Sequence, residues 1–514
     1  MLRRFTDFAA APDGRGLALA GGLVAVLAML VGGYTGKWPV RDAMLVLPAV
    51  LLLVMIGARH LRRVDPITQP ALLLAGLFIS VPLLQSIPLP PAVWTFLPGH
   101  APIEAVYQAT GIDLPWFPVS VVPLATLQSG AAMALPLAFF LLGLLLPIGG
   151  AVHFVRIASL GLGLNLFVGA LQVLFPGADG LRVLALDGNA VTGLFENPNH
   201  FGFSCALLVM LLPTVMGRFG TAAQDSAARL ARQLVIAIVV LILIVIGISS
   251  QSRAAIILSL MALAFLALES RHLFETRRAG LVFVLLSLGI GSLYFAAEIT
   301  GVLEDSFVKS DSRSDIWRSS VDLALTHLPL GAGVGTFELA YLPHEPVATT
   351  SPFIINEAHN LYLQILVEWG LAGLALLALG GVGLWRAYGQ GFHAASGVGS
   401  GAGRPATGGR QTDAQKLADH RQLLRCGAAA LVLTLVHGFV DYPERTMALS
   451  ALLSFLLGYA FNAVPLPEAR PSKAQPRSTV WNQNQRSRVR RAPSERPPPG
   501  PGTAPGSRPT MRPM

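Results

Sequence analysis

Asp, Glu, Lys and Arg are absent from twelve stretches of the chain: 16–36, 43–58, 66–103, 114–155, 157–178, 197–217, 233–252, 254–268, 279–297, 369–385, 426–440 and 446–467. A helix that crosses a bilayer needs about 20 predominantly apolar residues, and lipid forces its backbone to satisfy its own hydrogen bonds. Trimmed to their apolar centres, the stretches predict an all-α polytopic membrane protein with about twelve spanning helices. Those at 43–58, 254–268 and 426–440 are short, which leaves the count open by one pair. The first stretch has the position of a secretory leader. No small-x-small cleavage site follows it and eleven further spans do, so the reading is a retained helix.

Between the spans, polar residues gather in three places. Residues 298–358 form a large outer loop with nine acidic residues against Lys309, Arg313 and Arg318. Inside it Trp317, Val321, Ala324, Leu325 and Leu328 recur at helical spacing, so one amphipathic helix is expected, capped by Ser312 or Ser314 and stopped by Pro329 and the run GAGVG at 331–335. A packed loop of this size is more often functional than a spacer. Residues 387–420 are rich in Gly, Ala and Ser and read as a flexible connector. From 465 to 514 the chain is rich in Pro, Arg and Ser, which reads as a disordered tail. The expected organisation is therefore spans one to nine over 1–297, the loop at 298–358, spans ten to twelve over 359–464, and the tail.

Charge sets the orientation. With the N-terminus inside, 29 of the 37 basic residues fall in inner segments and 8 in outer ones, the bias that marks cytoplasmic loops. Both termini are expected in the cytoplasm, as for an inner-membrane protein, and the large loop on the outer face. Only 13% of residues are charged and 53% are hydrophobic, about half the charge of an ordinary soluble domain. The net charge of +9 could suggest nucleic acid, but the tail alone holds ten basic and two acidic residues. That balance favours anionic membrane lipids, not nucleic acid, as its neighbour. The two cysteines, Cys205 and Cys426, lie in apolar runs and build neither a disulfide framework nor a metal cluster.

Ionisable and polar residues at membrane depth are costly, and so are functional candidates. Most map to the outer side. ENPNH (196–200), with Asn197 and Asn199, opens the sixth span; Arg253, in SSQSRAA, sits at the next outer hairpin. Arg313 stands at the start of the loop helix. His359 and Asn360, in NEAHN (356–360), open the tenth span, and His437 and Asp441, four apart on one helical face, close the eleventh. Each has a second reading from chemistry alone. Arg253 can anchor a short helix at headgroups, Arg313 can pair locally with Asp311 or Asp315, and His359 can be a plain interfacial residue. Asn197 and Asn199 can cap a helix, and His437 with Asp441 can be a structural pair. Glu368 lies nine residues past His359, about 13 Å deeper along a helix, where an interhelix hydrogen bond suits it better than chemistry. A phosphate loop, a dinucleotide fingerprint and a zinc-protease motif are all missing. DSRSD (311–315) lacks the spacing and glycine of a calcium loop.

These residues resemble the bacterial O-antigen ligase and polymerase superfamily. HNLYLQILVEWGLAG (359–373) is similar to its pattern of His, a small polar residue, nine residues and Gly, with Gly370 in place; Glu368, Gly370 and Gly373 fit the longer form. SRSDIWRSSVDLALTHLPLGAGVGTF (312–337) resembles the stretch that closes the family's periplasmic loop. SSQSRAA and ENPNHFG resemble two further motifs, and the match runs from about 190 to 385 in consistent order.

The resemblance implies a glycosyltransferase that moves a glycan from an undecaprenyl pyrophosphate carrier onto an acceptor sugar at the periplasmic face, without metal, nucleotide or other cofactor. The acceptor would be lipid A-core or a growing polysaccharide. It implies His359 as the base for the acceptor hydroxyl, with Arg253 and Arg313 on the pyrophosphate and Asn360 orienting His359 or the acceptor. Asn197, Asn199, Arg318, His437 and Asp441 are further expected substrate contacts, with Glu368, Gly370 and Gly373 structural. The motifs leave ligase, polymerase and an enzyme that decorates another polymer or protein unseparated. A small-anion transporter is a further reading, weakened by the lack of an internal repeat. A non-catalytic scaffold is the last, and the soluble-facing segments offer it little folded surface.

Overall fold

In the computed structural model, residues 14–36, 39–60, 69–178, 180, 190–216, 238–239, 252–269, 311–346, 354–396 and 413–462 are described. The spans expected at 233–252 and 279–297 and the tail from 465 lie almost wholly outside them. The described residues are helical, with one isolated antiparallel bridge between Leu89 and Phe117. The protein is an all-α polytopic membrane protein.

The first three helices are α1 (Arg15–Val31), α2 (Pro39–His60) and α3 (Gln69–Gln85). The short α4 (Pro91–Trp94) and α5 (Ala101–Thr110) follow, then α6 (Pro123–Ala132) continued by α7 (Ala134–Leu145). Next come α8 (Ile148–Leu174), α9 (Pro198–Met216) and α10 (Arg253–Glu269). The loop holds α11 (Asp311–His327) and α12 (Phe337–Tyr341), and the C-terminal part holds α13 (Leu361–Ser396), α14 (Asp413–His437) and α15 (Met447–Ala460). Among the described residues, five helices are long and apolar enough to cross a membrane: α2, α6 with α7, α8, α9 and α13. α1, α3, α10 and α15 are shorter apolar helices. The core runs through α1, α7, α8, α9 and α15, where the buried rings of Phe139, Phe154 and Phe455 stack in sequence.

Four expectations change. The charge-free run 66–103 is not one span: α3 ends at Gln85, and α4 and α5 are short helices beyond it. Proline at 88, 90 and 91 stops the helix there. Arg156, which separates the charge-free stretches 114–155 and 157–178 and so was expected between two spans, lies inside α8. The loop helix starts at Asp311, ahead of either expected cap, and buries Ile316, Ser319, Ser320, Leu323, Ala324 and His327 while Val321 and Leu325 stay exposed. The buried face is thus rotated from the apolar stripe, because serines whose hydroxyls bond their own helix, as Ser320 does to the Ile316 carbonyl, pack as small residues. Finally, α13 runs to Ser396 and α14 starts at Asp413, so the connector expected at 387–420 is helical at both ends.

α13 is broken at Gly370, whose φ of 61° and ψ of −148° belong to glycine alone. The segment after α11 fills the break. The Ala332 N–H donates to the Val367 carbonyl (2.7 Å) and the Gly333 N–H to the Glu368 carbonyl (3.2 Å), while Pro329 accepts from the Leu371 N–H (2.9 Å). A Cβ at Gly370 would fall 2.2 Å from the Pro329 oxygen. The buried Gln85 side chain, at the end of α3, completes the join: its amide donates to the Leu330 and Glu368 carbonyls and accepts from the Val334 N–H. The peptide groups released by the break are therefore re-paired from another segment, as buried backbone requires.

Candidate active site

The N-terminus of α9 is built by ENPNH. The Asn197 side chain accepts from the Asn199 N–H (2.8 Å), and its backbone carbonyl accepts from His200 and Phe201. Pro198 stands at the first helical position, where its missing N–H costs nothing. Both asparagine amides then donate to one carboxylate oxygen, Asp441 Oδ2, at 3.3 Å and 2.6 Å. The Ser252 hydroxyl donates to Asn199 Oδ1 and accepts from the Ala255 N–H (3.0 Å), so it caps α10. Arg253 is the first residue of α10, two hydrogen-bonded links from Asp441; its side chain lies outside the described residues.

Asp441 is fully buried. Its other oxygen, Oδ1, faces His200 Nε2 at 3.5 Å and His359 Nδ1 at 3.6 Å, and accepts from the Tyr442 N–H (3.1 Å). The Tyr442 ring packs against both imidazoles, with centroids 5.3 Å and 5.2 Å away. Burial raises the proton affinity of this carboxyl, but the imidazoles of His200 and His359 overcome that and hold it well below the usual carboxylate range. Asp441 is thus a fixed anion between two histidines.

His359 sits immediately before α13 in a left-handed backbone conformation, φ 49°, which few residues other than glycine adopt. Asn360 makes this entry possible. Its side-chain oxygen accepts from the Tyr362 and Leu363 N–H groups, and its amide donates to the Phe439 carbonyl (3.1 Å). The Leu361 N–H donates to the Gly438 carbonyl (2.7 Å), joining the turn before α13 to the turn after α14. The His359 side chain is 26% exposed, while Nδ1 is buried toward Asp441. The accessible edge is the remainder of the ring, which includes Nε2.

Arg445 braces the same assembly. It forms a two-nitrogen contact with Glu368 (2.8 Å and 3.3 Å) and an Nε contact with Glu357 Oε1 (3.1 Å). Against the cost of burial, these two carboxylates strengthen its hold on its proton, so it stays a cation. Glu368 also accepts from Gln364 (2.9 Å). Both carboxylate oxygens of Glu444 are buried without a hydrogen bond, and burial pushes its carboxyl up to about 7. Burial likewise raises Glu196, offset in part by the Thr35 N–H.

The remaining expected residues separate into two groups. Arg313 lies near enough for its charge to act at His437. Arg318 stands 81% exposed on α11, paired with Asp315 at 3.6 Å, and is not joined to the cluster. α14 ends at His437, and the Asp441 N–H closes the following turn on the His437 carbonyl (3.0 Å), which leaves the Asp441 charge acting at His437. His437 stacks on Phe203 (5.6 Å) with neither ring nitrogen hydrogen-bonded. Among the described residues, no three His, Cys, Asp or Glu side chains are arranged to hold a metal ion. Sequence reasoning passed over His200, Tyr442, Glu357 and Arg445. ENPNH was singled out there and DYPER (441–445) was not, and nothing in either shows that they meet.

The profile of the family described as O-Antigen ligase matches residues 238–378. This segment is an O-antigen ligase domain, and it supports the resemblance of the chain to the O-antigen ligase and polymerase superfamily. No curated protein matches the chain. The matched segment contains α10, α11, the Pro329–Gly333 splice and the His359–Gly373 motif. ENPNH and DYPER lie outside the match on either side, and they supply the carboxylate and the brace that hold His359. The domain supports a ligase- or polymerase-type enzyme of polysaccharide biosynthesis, and the family implies lipid-linked glycan and polysaccharide substrates.

Proposed function

We propose that this protein is an O-antigen ligase-type glycosyltransferase of the bacterial inner membrane, with its site at the periplasmic face and both termini in the cytoplasm. It transfers a glycan from undecaprenyl pyrophosphate to an acceptor sugar hydroxyl of lipid A-core. The observation that supports this reading best is the partly exposed imidazole of His359 backed by the buried carboxylate of Asp441. Asp441 on Nδ1 favours the tautomer with a free Nε2 lone pair, as a general base needs.

The acceptor O–H gives its proton to His359 Nε2 as its oxygen attacks the anomeric carbon. The bond from that carbon to the pyrophosphate oxygen breaks, its electron pair leaves with the pyrophosphate, and the anomeric centre inverts. Asp441 stabilises the imidazolium that forms. Arg253 and Arg313 present planar donor forks to the leaving pyrophosphate and offset the charge that grows on it. The Lys and Arg bias between loops supports the orientation.

The test uses purified full-length protein in nanodiscs with a defined lipid-linked donor and a lipid A-core acceptor. His359→Ala is expected to abolish transfer while keeping a monodisperse profile; full transfer by that variant would overturn the assignment. Products extended by successive repeat units, in place of single transfer to core, would make the enzyme a polymerase.

A further inference from the structure

The general base just assigned has a second, sealed histidine behind it. His200 lies in the first turn of α9 and is fully buried. Neither of its ring nitrogens makes a hydrogen bond of good geometry. Its Nε2 is nonetheless 3.5 Å from Asp441 Oδ1, the same oxygen that His359 Nδ1 approaches to 3.6 Å. Aromatic rings close the rest of the pocket: Tyr442 edge-on at 5.3 Å and Phe195 at 6.5 Å. A buried imidazole without a clean partner calls for a reason, and the nearest polar atom facing it is this shared oxygen.

Both imidazoles face one carboxylate oxygen, so what His200 gives to that oxygen is felt at His359. In its neutral form with Nε2–H toward Asp441, His200 is one of several donors around that carboxylate, with Asn197, Asn199 and the Tyr442 N–H. Each donor drains charge from the oxygen that must support His359 when it takes the acceptor proton. We infer that His200 is a positioning residue that tunes His359 through Asp441, keeping the base free at neutral pH. This rests on the reading of His359 as the general base.

Other charged groups face the pair from every side. Glu196 acts on His200 from the turn before α9, and His437 from the end of α14, itself within reach of Arg313 on α11. Glu357 precedes His359 in its own segment, and Tyr442, Glu444 and Arg445 lie on the turn that carries Asp441. Replacing His200 changes one donor and leaves these residues in place.

The experiment is the pH profile of kcat/KM for lipid-linked donor transfer, from about pH 5 to 9, for wild type, His200→Phe, His200→Gln and His359→Ala. Phe fills the aromatic pocket and removes the donor. Its acidic limb is expected to move up by about half to one pH unit, the worth of one hydrogen bond. Gln places an amide N–H where Nε2 stands, so its limb should stay within about 0.2 unit of wild type even where its rate falls. A uniform loss of rate in His200→Phe with an unmoved limb would overturn the inference. If His200→Phe does not yield folded protein, His200→Asn replaces it, since its shorter amide mimics Nδ1 and withdraws the donor from Asp441. Equal limbs for Asn and Gln would overturn the inference just as plainly. Retention of full transfer by His359→Ala would refute the base assignment itself, a result separate from any outcome at His200.

Discussion

Arg445 and Glu368 stand 77 positions apart in the chain and meet through two nitrogens and two oxygens, at 2.8 Å and 3.3 Å. Glu368 is fully buried and directly precedes the turn that breaks α13, while Arg445 ends the turn that begins with Asp441. With its Nε on Glu357, two residues before His359, this arginine ties both flanks of the proposed base to the carboxylate that supports it.

Removing that cation leaves two buried carboxylates without a counter-charge. Arg445→Ala is expected to lower stability by about 3 kcal/mol, read as a fall in the thermal-unfolding midpoint in nanodiscs. Arg445→Lys keeps the charge but not the two-pronged contact, so it should recover part of the stability and less of the transfer rate.

Asp441→Asn tests the support of the base directly. The variant keeps the shape but cannot stabilise an imidazolium, and the expected loss is about 10²–10⁴-fold in kcat, with KM for the donor little changed. A loss confined to KM would move Asp441 from catalysis to substrate binding.

Asp441 also fixes an acid limit. Its folded-state affinity for a proton lies below that of the unfolded chain, so it stabilises the fold above the ordinary carboxylate range and stops doing so as pH falls through its folded value. The stability difference between wild type and Asp441→Asn should therefore be constant near neutrality and shrink below about pH 4. A difference that grows on acidification would contradict the sign.

Glu444 predicts the opposite slope. Its carboxyl is raised from 4.5 to about 7, so between those values the folded protein holds a proton that the unfolded chain has lost, and stability falls as pH rises. Glu444→Gln should match wild type below the lower value and exceed it at alkaline pH in the unfolding midpoint. Parallel curves would show that the carboxyl is solvated.

Gly370→Ala places a methyl group against the Pro329 oxygen and forces a positive φ on a residue that resists it. The expected cost is about 1–3 kcal/mol, together with loss of transfer, because His359 and the splice share α13. Circular dichroism and the transfer assay on the same preparation separate the two effects.

The spans were legible because lipid excludes charge, a rule that acts on each segment alone. The same rule misread 66–103, where the polypeptide is uncharged without being a span: His100 is buried there with its ring nitrogens 3.1 Å and 3.0 Å from the Pro98 and Pro118 carbonyls. His359 was visible through its motif. Asp441 was visible only as the fourth residue after His437, because its hydrogen-bonding partners Asn197 and Asn199 lie 244 and 242 positions away. Arg445 looked like any other outer basic residue, since what gives it meaning is contact with Glu357 and Glu368. The rotated face of α11 went unseen because hydrophobicity does not register serines that satisfy themselves.

The splice at Gly370 bears on how a substrate arrives. Three backbone hydrogen bonds and the Gln85 amide knit the segment after α11 into the break of α13. Peeling that segment away would strand peptide groups in a dry environment, at a cost thermal motion does not meet on the time scale of turnover. This part of the loop is therefore masonry and not a door. A donor anchored by a lipid tail has no need of one, because it already travels in the plane of the bilayer and can slide in from the side.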